Sequence, residues 1–387
     1  MVTRIIPWIA VVLAVLAAGG AARADDIAPL VRTLQGVGPG ATGNREAAAA
    51  WRKLVGADPR QLPEILAALD QAGPLAANWI RTAVETIAER RLQSGGELPA
   101  AKLEAFLLDR RHAPRARRLA YEWLLRVDGS AAKRLVPGML DDPSAEMRRD
   151  AVAWGMGQAE ALEKSQGPAP AAWVYRQALT EATDVDQIRQ LAQRLAKLGQ
   201  PVDLPRQLGM IVRWKLIGPF DNTGEQGFDR AFPPERDVDP PASLDGKHGP
   251  VRWIDHTVAG DSGQVDFNRV LGMEKAVVGY AATVFVAEAQ REVEFRMASF
   301  NAVKLWLNGR LIDKRNVYHN GSQMDQYVCR AALRPGRNAI LVKVCQNSQR
   351  QDWAVHWWFQ LRVCDDRGRA VLSVDRDTAG DAARANP

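Results

Sequence analysis

The sequence predicts a multidomain α plus β protein, an α-helical array followed by an antiparallel β-sandwich. Three observations carry this. From about Ile27 to Gln200 apolar residues recur at i, i+3, i+4 and i+7. Near Leu208 that period gives way to alternation. Beyond it, short alternating runs recur at regular spacing between turns, as in a sandwich or jelly roll. At 387 residues the chain has room for two domains. Its 47% hydrophobic and 25% charged residues are ordinary values for globular protein.

The first residues, "MVTRIIPWIAVVLAVLAAGGAARA", are expected to be a signal peptide covering residues 1–24. Arg4 supplies a positive start, Ile5 to Ala18 an apolar core, and Ala22-Arg23-Ala24 a small-x-small cleavage site. An uncleaved anchor fits less well, because the apolar run falls short of the ~20 residues that span a bilayer. No cysteine follows the apolar core, which argues against a lipoprotein anchor. The expectation is export by a Sec-type signal, to the periplasm or beyond, with no membrane span after cleavage. Net charge is +6 and the pI near 9.3. Basic residues are interspersed with acidic ones, as in "DRRHAPRARR", so no nucleic-acid surface is expected. Cys329, Cys345 and Cys364 lie in strand-like runs without metal or CxxC spacing. They read as buried thiols or as one disulfide plus a free thiol.

The helical part covers residues 27–200. "REAAAAWRKLV", "LPEILAALDQA", "AANWIRTAVETIAERR", "AAKLEAFLLDRR" and "DQIRQLAQRLAKL" are its helical segments, and "GADP", "QSGGELP", "VDGS" and "DDPS" its breakers. Breakers this close together predict paired helices, not long coiled coils. A weak repeat is visible at Arg117-Arg118-Leu119-Ala120, Arg148-Arg149-Asp150-Ala151 and Arg189-Gln190-Leu191-Ala192, spaced by 31 and 41 residues. The copy "DDPSAEMRRDAVAWGMG" resembles a HEAT repeat. The resemblance implies that Arg and Asp tie neighbouring repeats while small residues let helices pack closely. An irregular helical bundle is the competing reading.

Residues 208–374 form the β part. "MIVRWKLIGPF" opens it, and a Pro/Gly-rich loop, "GPFDNTGEQGFDRAFPPERDVDPP", follows. The later runs are "GYAATVFVA", "REVEFRMAS", "VKLWLNG", "RLIDK", "QYVCRAAL", "NAILVKVCQ" and "WAVHWWFQLRV". Asn308-Gly309 between apolar runs predicts a two-residue type I′ hairpin, since both positions need φ > 0. Residues 375–387 read as a disordered tail.

The order "TVFVAEAQREVEFRMASFNAVKLWLNGRLI" followed by "ALRPGRNAILVKV" resembles the sugar-binding, galactose-binding-like jelly roll of family 2 glycoside hydrolases. Asn308-Gly309 stands at that family's hairpin, and Leu333-Arg334-Pro335-Gly336-Arg337-Asn338 at its Leu-x-x-Gly-x-Asn turn. The resemblance spans roughly Arg213 to Val374. It implies the fold and, less directly, a carbohydrate ligand. The family keeps its catalytic carboxylates in a separate barrel, and no barrel is expected within these residues.

Catalytic motifs are wanting. A glycosidase needs paired carboxylates at a set separation. The loop acids Glu225, Asp229, Glu235 and Asp237 are the candidates, but acids in a Pro/Gly-rich loop are usually solvated or cap turns. His248, His256, His319 and His356 show no metal-ligand spacing. "GVGPGATG" lacks the strand and lysine of a phosphate loop, and no GxSxG elbow occurs. No cofactor or metal is expected, and no catalysis.

Strand alternation in "DWAVHWWFQLRV" puts Trp353, Val355, Trp357, Phe359, Leu361 and Val363 on one apolar core face. The other face carries Ala354, His356, Trp358, Gln360, Arg362 and Cys364. Trp358 beside His356 and Arg362 suits a sugar platform, an indole face flanked by hydrogen-bonding groups. Trp306 shares a face with Lys304 and Asn308 and is a second candidate. Both tryptophans equally suit packing against the helical part or a covering loop. Tyr318 and His319, in the polar loop "YHNGSQ", offer a further ligand edge. In a eukaryote Asn320-Gly321-Ser322 would be a glycosylation sequon. The expectation is therefore an exported, non-catalytic protein binding carbohydrate or cell-surface glycan, with a partner protein on the helices. The alternatives are a scaffold without a glycan site and a glycosidase-related enzyme using loop carboxylates.

Overall fold

The structure, a computed structural model, describes residues 24–236, 243–320 and 323–376. The signal-peptide expectation, Asp237, most of the sequon and residues 377–387 of the expected tail lie outside them. The chain divides into two compact units, one up to Trp154 and one from Gly155 onward.

In the first unit, helices follow the predicted segments. These are α1 (Ala24–Gln35), α2 (Asn44–Leu54), α3 (Leu62–Ala67), α4 (Pro74–Gln93), α5 (Ala100–Leu108), α6 (Pro114–Val127) and α7 (Ala131–Leu135). Helix α8 (Ala145–Gln166) runs past the division between the units. Proline opens α4 and α6, where a missing N–H costs nothing. Consecutive helices pack in pairs, α1 on α2 and α5 on α6. The apolar stripe of α6, Ala116, Leu119, Ala120, Trp123 and Leu124, is buried. Among it lies Arg117, also buried, whose guanidinium forks onto Asp142 at 2.9 and 2.7 Å and donates to the Leu107 carbonyl at 2.7 Å. Arg148 donates to the Asp142 carbonyl at 2.6 Å, and Arg118 reaches Asp150. Arginines and aspartates of α6, α8 and the "DDPS" breaker between them are thus joined.

The second unit carries α9 (Pro168–Glu181), α10 (Val185–Lys197) and α11 (Leu204–Leu208), followed by two antiparallel sheets packed face to face. The six-stranded sheet takes the order β4 (Ile254–Thr257), β1 (Arg213–Asp221), β6 (Val277–Ala287), β11 (Gly336–Gln346), β8 (Ala302–Leu307) and β9 (Arg310–Arg315). The four-stranded sheet takes the order β10 (Tyr327–Leu333), β7 (Arg291–Ser299), β12 (Trp358–Cys364) and β5 (Gln264–Asp266). A small ribbon pairs β2 (Leu244–Gly246) with β3 (Gly249–Val251). Between the sheets, Val342, Val344, Val303 and Leu305 meet Phe295, Met297, Phe359 and Leu361 in one core. Asn308 and Gly309 take φ +52° and +77°, and Leu307 pairs with Arg310 across the turn, as a two-residue hairpin requires.

The outer face of the six-stranded sheet is covered too. The loop after β1 folds back over it, putting Phe228 and Phe232 against Phe220, Val278, Tyr280 and Cys345. It includes the short helix α12 (Pro233–Arg236); α13 (Phe267–Leu271) follows β5. The segment 374–376 is a turn, with the Asp375 and Met210 carbonyls held by Arg213 and Arg376. No helix among the described residues is long and apolar enough to cross a membrane, and none of their side chains form a group able to hold a metal ion. The three thiols are unpaired, two of them buried.

Candidate functional site

Strand β12 begins at Trp358, not at Trp353 as alternation suggested. Residues 352–354 instead form a 3-10 turn, and the two-face pattern holds only from Trp357 onward. This corrects the core assignment of Trp353, whose ring is 53% exposed. The expected platform, Trp358, is only 7% exposed. Arg362 is 1% exposed, with Nε and Nη2 on Asp325 and Nη1 on the Leu208 carbonyl at 3.2 Å. Trp306 is buried on the outer face of the six-stranded sheet. These three lie under cover, while His356 is exposed and Tyr318 half-buried.

One end of the sandwich gathers the rest. There β1, β7 and β11 end and β6, β8 and β12 begin. Phe300 sits in the β7–β8 turn, His319 in the β9–β10 connection, Asn347 just past β11 and His356 just before β12. His319 meets Trp353 edge-on at 4.9 Å and Phe300 at 5.3 Å, and Phe300 meets His356 at 5.1 Å. His319 Nε2 lies 3.1 Å from Asn347 Oδ1. An amide oxygen only accepts, so Nε2 donates to it. The other ring nitrogen, Nδ1, is buried and has no partner among the described residues. His319 also takes φ +54°, a left-handed conformation uncommon outside glycine.

A layer of buried amides sets this end. Asn301 Nδ2 donates to Gln346 Oε1 and to the His356 carbonyl, both at 3.0 Å. Asn301 Oδ1 accepts from the Trp358 N–H at 3.2 Å. Gln346 Nε2 holds the Ala354 and His356 carbonyls at 3.1 Å. Asn222 Nδ2 reaches the Gln346 carbonyl at 2.9 Å and the Tyr318 hydroxyl at 3.2 Å. Burial, more than nearby Cys345 and Glu225, pushes the Tyr318 phenol above its ordinary range. The paired amides of Asn301 and Gln346 hold the backbone around the 3-10 turn, and the Trp353 ring projects from it. The polar run "QNSQRQD" before Trp353 was the sequence signal for this loop.

The loop carboxylates do not converge. Glu235 is held by Lys343 Nζ at 2.7 Å and by the Tyr280 hydroxyl, and Lys343 is fully buried. Burial lowers the Lys343 pKa, with the bond to Glu235 opposing. Asp229 pairs with Lys304 at 3.2 Å. Glu225 is exposed at φ +61° and has no side-chain partner among the described residues.

No family model matches the chain, and no curated protein matches it. Solved structures do. A β-glucuronidase from an uncultured Clostridium sp. is 16% identical with a TM-score of 0.25, over 41% of this chain and 29% of that one. A β-glucosidase from Kluyveromyces marxianus, in complex with glucose, is 11% identical with a TM-score of 0.28, over 82% and 40%. A GH31 α-xylosidase from Xanthomonas citri is 11% identical with a TM-score of 0.21, over 41% and 18%. The chain spans less than half the length of each. The expectation of a non-catalytic chain is corrected at this point: the solved structures it is similar to bear glycosidase names. A missing motif did not exclude catalysis, because carboxylate pairs are brought together by the fold rather than by spacing.

Proposed function

We propose that this chain is a carbohydrate-directed, glycosidase-related protein that meets sugar at the Trp353 end of its sandwich. The observation that carries the reading is one exposed indole held on a rigid amide layer beside His319, His356 and Asn347. The C–H face of a pyranose stacks on an indole, while the exposed His356 imidazole is placed to bond its hydroxyls. Preorganisation lowers the ordering cost of binding. The signal-peptide reading of residues 1–24 belongs to the same proposal and would make the encounter extracytoplasmic. So does a HEAT-like reading of the helical array, supported by the Arg117–Asp142 joint, with a protein partner as its ligand.

The test is a glycan array and a chromogenic glycoside panel on the mature chain and on Trp353→Ala. Aromatic contacts are worth about 0.5–1.5 kcal/mol beyond burial, so glycan affinity should fall several-fold to about tenfold. Unchanged binding in that variant would remove the site.

A hydrolytic reading of the same end is favoured by Glu225. Of the described loop acids it alone is unpaired, and it stands in strained backbone near Tyr318. Glycoside turnover that survives Glu225→Gln would end that reading.

A further inference from the structure

We infer a second, anionic-sugar subsite on the outer face of the six-stranded sheet, built for the carboxylate of a uronic acid. A depression of about 450 Å3 lies there, walled by Arg230, Arg236 and Lys247, with Phe220 and Phe232 at its apolar side. Its two carboxylates are Asp221 and Asp245. Asp221 is already engaged, by the Thr223 hydroxyl at 2.7 Å and by Lys247 at 3.4 Å. The guanidiniums of Arg230 and Arg236 have no carboxylate partner among the described residues. Arg230 stacks over the Phe232 ring at 5.1 Å, and among the described residues Arg236 donates only to the Ala231 carbonyl, at 3.2 Å.

Both arginines are positioned by one buried ammonium. Lys343 Nζ donates to the Arg230 carbonyl at 2.8 Å and to the carboxylate of Glu235, the residue before Arg236, at 2.7 Å. A third bond, to the Phe228 carbonyl at 3.1 Å, fixes the start of the same loop. Two planar forks presented from a clamped backbone suit bidentate recognition of a carboxylate, and the phenyl rings suit the apolar face of a ring carrying it. This explains what the local sequence left unaccounted for, a lysine buried on the outer side of a central strand. The saccharide part of the inference rests on the carbohydrate reading above, but the subsite stands on other residues than Trp353.

Calorimetric titration of the full chain with glucuronate, glucose and inorganic phosphate tests it. Glucuronate should bind, and its affinity should fall steeply with added salt, as it does for exposed charges. Arg230→Gln and Arg236→Gln should each weaken it about tenfold. Both side chains are exposed, so melting temperatures should stay at the parent value and certify the fold. Arg230→Lys, which keeps charge but not the fork, should fall between. Glucose binding as tightly as glucuronate, or a double variant with unchanged affinity, overturns the subsite. Phosphate binding as tightly as glucuronate overturns its assignment to a sugar acid. Trp353→Ala should leave glucuronate affinity unchanged, and the arginine variants should leave neutral-glycan binding unchanged. Loss of both affinities in either variant would overturn the separation of the two sites.

Discussion

Asn308 and Asn338 bond amide to amide at 3.0 Å, joining two turns 30 residues apart. Asn308 is the first residue of the turn between β8 and β9, and its Oδ1 also accepts from the Ala339 N–H at 3.0 Å. Asn338 is fully buried at the start of β11. It accepts from the Arg334 N–H and donates to the Arg334, Gly336 and Phe285 carbonyls. One side chain therefore closes its own turn, secures the neighbouring strand β6 and receives the hairpin.

Replacing Asn338 by Ala should therefore cost about 2–4 kcal/mol, because several buried backbone groups lose their partner at once. Asn338→Asp keeps the acceptor but not the donors and should cost nearly as much. Urea unfolding monitored by tryptophan fluorescence reads both. A loss under about 1 kcal/mol would show that water replaces the amide.

The same pair shows what was legible in the sequence. The Asn-Gly hairpin and the turn ending at Asn338 are local geometry, dictated by φ > 0 and by a side chain bonding its own backbone, so a short window contains the information. Strands β6 to β11 were likewise readable, since alternation reports a half-buried surface. The candidate site was only partly so. Trp353 was hidden because alternation was extended through a 3-10 turn. Arg362 read as a ligand because polarity suggested exposure, yet its partner Asp325 arrives from a loop 37 residues upstream. Glu235 read as solvated because Lys343 lies 108 residues away along the chain. Such pairings are tertiary and leave no local mark.

Trp358 and Trp353 should separate cleanly by mutation. Trp358 is buried, so Trp358→Ala should cost roughly 3–5 kcal/mol. Trp353 is half-exposed, so Trp353→Ala should stay within about 0.5–1 kcal/mol of the parent. Paired thermal melts check this. Equal losses would mean that the Trp353 ring is packed in solution, which is incompatible with a stacking platform.

The thiols should be inert in the native state. Burial pushes Cys345 and Cys329 up to about 12 and Cys364 to about 11, leaving almost no thiolate near neutrality. Alkylation near pH 8 should be slow until denaturant is added, after which all three thiols should label. Rapid labelling of Cys345 without denaturant would mean that the loop clamped by Lys343 opens readily.

Asp325 is largely buried, and burial alone would raise its pKa. The hydrogen bond and charge of Arg362, with those of Arg296, outweigh that and hold the carboxyl below its ordinary range. Its folded pKa is thus lower than its unfolded value of about 3.9. The unfolded chain binds the proton more readily, so the pair's stabilisation is fully present above about pH 4 and is lost as pH falls through the folded pKa. Urea unfolding at about pH 7 and about pH 3.5 should show this acid-side loss. In Asp325→Asn the loss should be reduced, because that titrating group is gone. The same variant should be about 3–5 kcal/mol less stable near neutrality, since it leaves Arg362 buried with its charge uncompensated. An Asp325→Asn protein as stable as the parent near pH 7 would mean that Arg362 reaches solvent, and Arg362 would then return as a candidate for contact with a ligand.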